Sequence, residues 1–152
     1  MSSAAVDDYE RTKNIGGSSE RRKNFKILLA EDNEVNRKVV SMQLKKLGFQ
    51  CDCAKDGKEA VDMFKGGNYD LILMDLTMPN TDGPTASLQI RSYEEIYRSK
   101  KVIIVALTAM VLEGSKEYCK SMGMDEFLQK PLKLERLEKI LTTYLLPIQQ
   151  SG

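Results

Sequence analysis

Five times along the chain a short apolar run gives way to a longer stretch whose apolar residues recur at helical spacing. The runs lie at 25–30, 49–54 (weaker), 70–74, 102–107 and 125–129, and each reads as a strand. The stretches between and after them predict helices over 35–47, 57–65, 85–98, 112–122 and 134–146. The last of these carries Leu134, Leu137, Ile140, Leu141 and Leu145 on one stripe. Gly48, the pair Gly66-Gly67 and Gly123 stand where helix ends want glycine. A strand that leads through a helix to the next strand needs a crossover, and crossovers make parallel strands with helices on both faces. Ile27-Leu28-Leu29, Leu71-Ile72-Leu73 and Val102-Ile103-Ile104-Val105 are continuously apolar, as strands covered on both sides require. The expected fold is α/β, a doubly wound five-stranded parallel sheet in the order 2-1-3-4-5.

The alternation starts late. Residues 1–24 are polar, with Gly16-Gly17-Ser18-Ser19 followed by Arg21-Arg22-Lys23. They lack apolar periodicity and are expected to form a flexible tail or linker whose basic triplet is solvated. Residues 25–147 are expected to be the domain and 148–152 a short tail. A net charge of +1 on 152 residues gives no reason to expect nucleic acid or a membrane surface as a partner. No run is long enough to cross a bilayer, and no signal peptide is visible. Three cysteines, an odd number without a secretory signal, suit reduced thiols and a cytoplasmic location. Cys51 and Cys53 share one strand face. With no second cysteine pair and no histidine in the chain, they are read as packed or surface thiols and not as half of a zinc site. The absence of histidine also excludes Ser-His-Asp and Cys-His hydrolases. Any phosphoryl group moving on this chain must be carried by a carboxylate.

In sheets of this kind ligands bind beyond the carboxyl ends of the strands, at the switch point between strands one and three. The chemistry-bearing residues fall there. Strand one runs into Glu31-Asp32, strand three into Asp75, strand four into Thr108 and strand five into Lys130. Crowded carboxylates repel one another unless a cation is present. The cation that suits a few carboxylates, water and a phosphate oxygen is Mg²⁺. It is expected between Asp32 and Asp75, with Glu31 holding a coordinating water and the Thr77 backbone carbonyl as a further ligand. Asp75 is then the phosphoacceptor, a carboxylate nucleophile that forms an acyl phosphate. Lys130 supplies a point charge and Thr108 a hydroxyl to the phosphate oxygens. Taken singly, each acid is a common turn former or helix cap, Thr108 a cap and Lys130 a surface lysine. Their joint arrival at one sheet edge is what points to a site.

From Lys26 to about Leu146 the chain resembles the receiver domain of response regulators and hybrid histidine kinases. The resemblance rests on Ile27-Leu28-Leu29-Ala30-Glu31-Asp32-Asn33, on the run from Leu73 through Asp75 and Pro79 to Gly83, on Val105-Ala106-Leu107-Thr108-Ala109, and on Phe127-Leu128-Gln129-Lys130-Pro131. It implies a flavodoxin-like (βα)5 fold and Mg²⁺-dependent transfer from a phosphohistidine to Asp75, followed by slow self-dephosphorylation. It assigns Glu31 and Asp32 to the metal, and Thr108 and Lys130 to the phosphate. It also implies a cis peptide at Lys130-Pro131. The stretch Glu31-Asp32-Asn33-Glu34-Val35-Asn36 is most similar to receivers of hybrid kinases, with Asn36 close to the site. Phe127 stands at the family's aromatic switch position, paired with Thr108. It lacks a tyrosine hydroxyl, so it either switches by packing alone or is a partly buried strand residue in every state.

The implied partner is a histidine kinase domain or a histidine-containing phosphotransfer protein, met by a monomer. Val39, Met42 and Gln43 on the first helix are candidates for that contact, although core is the default for any single one. The domain would catalyse its own phosphotransfer without a kinase domain. Two settings stay open, a single-domain regulator and a piece of a hybrid kinase. Other functions fit less well. A dehalogenase-type phosphatase needs a second acid two residues after the nucleophile, where this chain has Thr77. A dinucleotide-binding domain needs a glycine-rich turn in place of Glu31-Asp32-Asn33. A degenerate receiver used only for docking remains the alternative, but it would not need the full set of acids, Thr108 and Lys130.

Overall fold

The computed structural model describes residues 21–146. Their elements run β1 (Lys26–Ala30), α1 (Glu34–Lys46), β2 (Gln50–Ala54), α2 (Gly57–Gly66), β3 (Leu71–Asp75), α3 (Gly83–Tyr97), β4 (Ile103–Thr108), α4 (Ser115–Ser121), β5 (Glu126–Gln129) and α5 (Leu134–Leu145). The five strands are parallel and ordered β2-β1-β3-β4-β5, as the alternation implies. Side chains alternate across the sheet and build two cores. Leu28, Ala30, Ile72, Met74, Ile104 and Ala106 meet α2, α3 and α4 on one face. Ile27, Leu29, Leu71, Leu73, Val105 and Leu107 meet α1 and α5 on the other. All five residues of β3 are buried, which suits a central strand covered on both sides.

Two helix starts differ from the periodicity. α3 begins at Gly83, ahead of the expected 85, because Asp82 accepts from the Thr85 N–H at 2.8 Å and Pro84 presets the first turn. α4 is shorter than the predicted 112–122. Gly114 adopts a left-handed backbone (φ 90), and the Ser115 hydroxyl accepts the Leu112 N–H at 2.8 Å. Met110, Val111 and Leu112 are therefore exposed loop residues and not helical ones.

The folded body also begins before residue 25. Residues 21–23 are helical. Arg22 donates to the Leu47 carbonyl at 2.8 Å and to Glu138 at 3.2 Å, and its guanidinium lies 5.4 Å from the centre of the Phe49 ring. Of the basic triplet only Lys23 is exposed, so the expectation of a solvated stretch does not hold at Arg21 and Arg22. Burying the aliphatic stem of an arginine while its head finds a helix-end carbonyl explains why. The rest of the expected tails, residues 1–20 and 147–152, lies outside the described residues.

Cys51 is half-buried and Cys53 exposed on β2, both beside the Ser41 hydroxyl. Burial, opposed by the Ser41 hydrogen bond, pushes the Cys51 thiol up to about 11, as suits an inert packed thiol. Among the described residues no helix is long and apolar enough to cross a membrane.

Candidate functional site

Parallel strands bring their carboxyl ends to one edge, and the polar residues after β1, β3, β4 and β5 meet there. Glu31 is buried, its N–H donating to the Ala54 carbonyl of β2 at 3.0 Å. Its carboxylate accepts the Asn33 N–H at 3.1 Å, while Asn33 caps α1 by accepting from the Asn36 N–H at 2.9 Å. One short turn thus fixes both the acid and the start of the helix. Asp32 is exposed and Asp75 buried at the end of β3. Carboxylate oxygens of Glu31, Asp32 and Asp75 all lie within 4.8 Å of one another. Such a group of hard oxygen donors fits Mg²⁺, which takes one or two protein carboxylates and completes its shell with water and phosphate.

Lys130 follows β5 and reaches into this group, its ammonium donating to Glu31 Oε1 at 3.1 Å and to Asp75 Oδ2 at 3.0 Å. Burial alone would lower this ammonium, but the bonds to Asp75 and Glu31 outweigh it and hold the lysine above its ordinary value. The bond from Lys130 to Pro131 is cis, as expected. The Thr77 N–H donates to Asp75 Oδ1 at 3.2 Å, which orients the carboxylate toward the loop after β3. Gly83 closes that loop, its N–H donating to the Leu76 carbonyl at 3.1 Å.

Thr108 reaches the same edge, but its hydroxyl is occupied elsewhere: it donates to the Met110 carbonyl at 2.8 Å and accepts the Met110 N–H at 3.2 Å. Phe127 pairs with Ala106 across β4 and β5 and packs, partly buried, against the core on the α2–α3–α4 face. Asn36 lines a cleft with Glu31, Lys130 and Pro131, beside the site as expected. On α1, Val35, Val39 and Met42 are exposed at 68%, 50% and 70%, so the core reading is wrong for Val39 and Met42. Val40 and Leu44 take the inward stripe. Gln43 is half-buried, its amide donating to the Leu132 carbonyl at 2.8 Å, which ties α1 to the loop after the lysine.

Arg37 was not legible as a site residue. Its guanidinium donates to the Glu31 and Asp32 carbonyls, each at 2.9 Å, and braces the backbone of the acid pair. No motif announces it: an arginine one turn into an amphipathic helix reads as surface charge.

A family model described as the response regulator receiver domain matches residues 27–142. Hybrid signal transduction histidine kinase F of Dictyostelium discoideum is 55% identical over 121 residues, which make up 79% of this chain but 11% of that protein. Among solved structures, the receiver domain of the Saccharomyces cerevisiae response regulator Ssk1, co-crystallised with the histidine phosphotransfer protein Ypd1, superposes with a TM-score of 0.77 at 34% identity, covering 82% of this chain and 90% of that one. The receiver domain of sensor histidine kinase PA1611 from Pseudomonas aeruginosa, which holds a magnesium ion in its active-site cleft, gives a TM-score of 0.71 at 40% identity over 80% of this chain and 97% of that one. With the sheet order, the acid cluster and the lysine in place, this chain belongs to the response regulator receiver domain family.

Proposed function

We propose that the domain accepts a phosphoryl group on Asp75 from a phosphohistidine, with Mg²⁺ held by Asp32, Asp75 and the Thr77 carbonyl and with Glu31 positioning a metal-bound water. The observation that carries the reading is the acid cluster bridged by Lys130: oxygens within 4.8 Å and an ammonium on both buried carboxylates. A docking fold has no use for such a costly arrangement. When bound, Mg²⁺ offsets negative charge on the transferred group.

The protein's own steps follow from the geometry. An Asp75 carboxylate oxygen forms a bond to phosphorus as the phosphorus–nitrogen bond to the donor histidine breaks. Lys130, already on Asp75, moves its point charge to a phosphate oxygen. Thr108 must leave the Met110 carbonyl to reach another. That movement frees the exposed loop at Met110–Leu112 and opens space for Phe127, so the surface around α4 and β5 shifts between two packed states. The donor surface is the exposed stripe of α1 together with Leu132, and it suits a helical histidine-containing phosphotransfer protein. Such a partner is the one seen on the Ssk1 receiver. The domain serves within a hybrid histidine kinase or as a single-domain regulator, on the cytoplasmic side where its donors reside.

The direct test is intact-protein mass spectrometry after incubation with acetyl phosphate and Mg²⁺. The wild type is expected to gain the mass of one phosphoryl group and Asp75→Asn none. Labelling of Asp75→Asn at the normal rate would remove Asp75 as the acceptor. A wild type that stays unmodified would favour a domain that only docks.

A further inference from the structure

The loop from Leu76 to Asp82 carries Thr77, whose carbonyl is a metal ligand in the reading above, and the inference here rests on that reading. The loop is pinned at its base by the Gly83 N–H on the Leu76 carbonyl. A second pin holds its tip. Asn80, with a left-handed backbone (φ 67), donates its side-chain amide to Asp56 Oδ2 at 2.8 Å. Asp56 is the N-cap of α2, and its other oxygen accepts the Glu59 N–H at 2.8 Å. The next residue, Gly57, lies directly under the loop, and a Cβ there would collide with the Thr81 carbonyl oxygen. The helix start and the loop tip are therefore built against each other, although neither Asp56 nor Asn80 touches the acid cluster.

We infer that Asp56 and Asn80 are positioning residues for the metal: one carboxylate caps α2 and clasps the loop tip, setting where the Thr77 carbonyl stands relative to Asp75. A carboxylate suits both tasks because its two oxygens accept separately, whereas an amide offers one acceptor. The Glu59 N–H, and then the Asn80 amide, hold the Asp56 carboxyl below the usual carboxylate range, so it remains an acceptor at neutral pH. Asparagine suits the tip because it tolerates a left-handed backbone while still offering a donor.

Three variants separate this from a merely structural cap. Asn80→Gly keeps the backbone freedom and leaves the α2 cap untouched, but removes the clasp. Asp56→Asn keeps the cap with its oxygen and keeps the clasp only if the Asn80 amide turns over to accept its N–H, so its loss should be no larger than that of Asn80→Gly. The double variant Asp56→Asn with Asn80→Asp exchanges donor and acceptor: the amide now on α2 can cap with its oxygen and donate its N–H to the carboxylate now at the loop tip. Mg²⁺ dissociation constants from isothermal titration calorimetry, thermal midpoints, and acetyl phosphate labelling rates against Mg²⁺ concentration are measured for each. Asn80→Gly should weaken Mg²⁺ about fivefold, one modest hydrogen bond's worth, with the labelling rate at saturating Mg²⁺ and the thermal midpoint nearly unchanged. The exchanged pair should recover wild-type affinity. Wild-type Mg²⁺ affinity in Asn80→Gly, or failure of the exchange to restore it, overturns the inference while leaving the site reading intact. A wild type that binds no Mg²⁺ overturns the site reading first.

Discussion

Asp75 owes its position to the absence of one carbon atom. A Cβ on Gly83 would collide with the Asp75 carbonyl oxygen and approach the Leu76 Cα at 3.0 Å. Both obstacles are backbone, so the first turn of α3 would have to shift away from Asp75. Gly83→Ala is expected to destabilise the domain by about 1–3 kcal/mol, the usual cost of overpacking, and to slow labelling of Asp75. Urea melts and acetyl phosphate labelling on one preparation check both effects. Lys130→Ala should leave Mg²⁺ binding largely intact while weakening the phosphorylation-linked spectral changes, if the lysine moves to a phosphate oxygen as proposed. Unchanged spectra of the phosphorylated variant would count against its role. The acids and the lysine were legible because each ends a recognisable strand. Gly83 showed in the sequence only as the end of the run that starts at Leu73, since nothing local reveals that the obstacle it avoids is the carbonyl of Asp75, eight residues back.

At the scale of an element, α1 shows what periodicity can and cannot say. Its apolar residues at Val35, Val39, Val40, Met42, Leu44 and Leu47 identified a helix, and a helix formed. They make two stripes, however, and hydrophobicity does not tell the inward one from the outward one. Contact decides: Val40 and Leu44 meet the sheet, while Val35, Val39 and Met42 are exposed, Val39 beside Leu132 and Lys130. Leu44→Ala should therefore cost about 2–5 kcal/mol in a urea melt. Met42→Glu should change stability by less than about 0.5 kcal/mol, yet slow phosphotransfer from a histidine-containing phosphotransfer protein severalfold. Labelling by acetyl phosphate, which needs no protein docking, should stay at the wild-type rate. An equal loss in both assays would argue against a donor-docking face. α4 failed to match its expected length for a similar reason. The expected helix began at the apolar Leu112, but the left-handed Gly114 stands as the N-cap and the helix starts only at Ser115.

Among the described residues the shifted thiols, phenols and Lys130 move in one direction at high pH. Cys51, Cys119, Tyr69, Tyr144 and Lys130 are all displaced upward, from ordinary values of 9.0, 10.0 and 10.5 for the three residue types. Each binds its proton more tightly in the folded chain. As pH rises through those ordinary values the unfolded chain releases protons first, so stability falls with pH. The contribution is fully present below about pH 9 and is lost progressively above it. Urea midpoints measured from pH 7 to pH 11 should stay level and then drop; a rising midpoint across pH 9–11 would contradict the burial of these groups. The topology was legible because a parallel alternation has few ways to pack. The packing of Arg21 and Arg22 was not, since a basic triplet next to a glycine-serine run reads as solvent-exposed until the fold offers it a carbonyl.

That packing has a consequence for how such a domain is carried. Arg21 donates to the Leu146 carbonyl at 3.1 Å, so the first and last described residues meet. They meet at the edge where β1 begins and α5 ends, opposite the acids. A unit whose entrance and exit adjoin can be spliced into a longer polypeptide like a bead on a loop, without prising its neighbours apart. The edge that carries Glu31, Asp32 and Asp75 lies away from that junction.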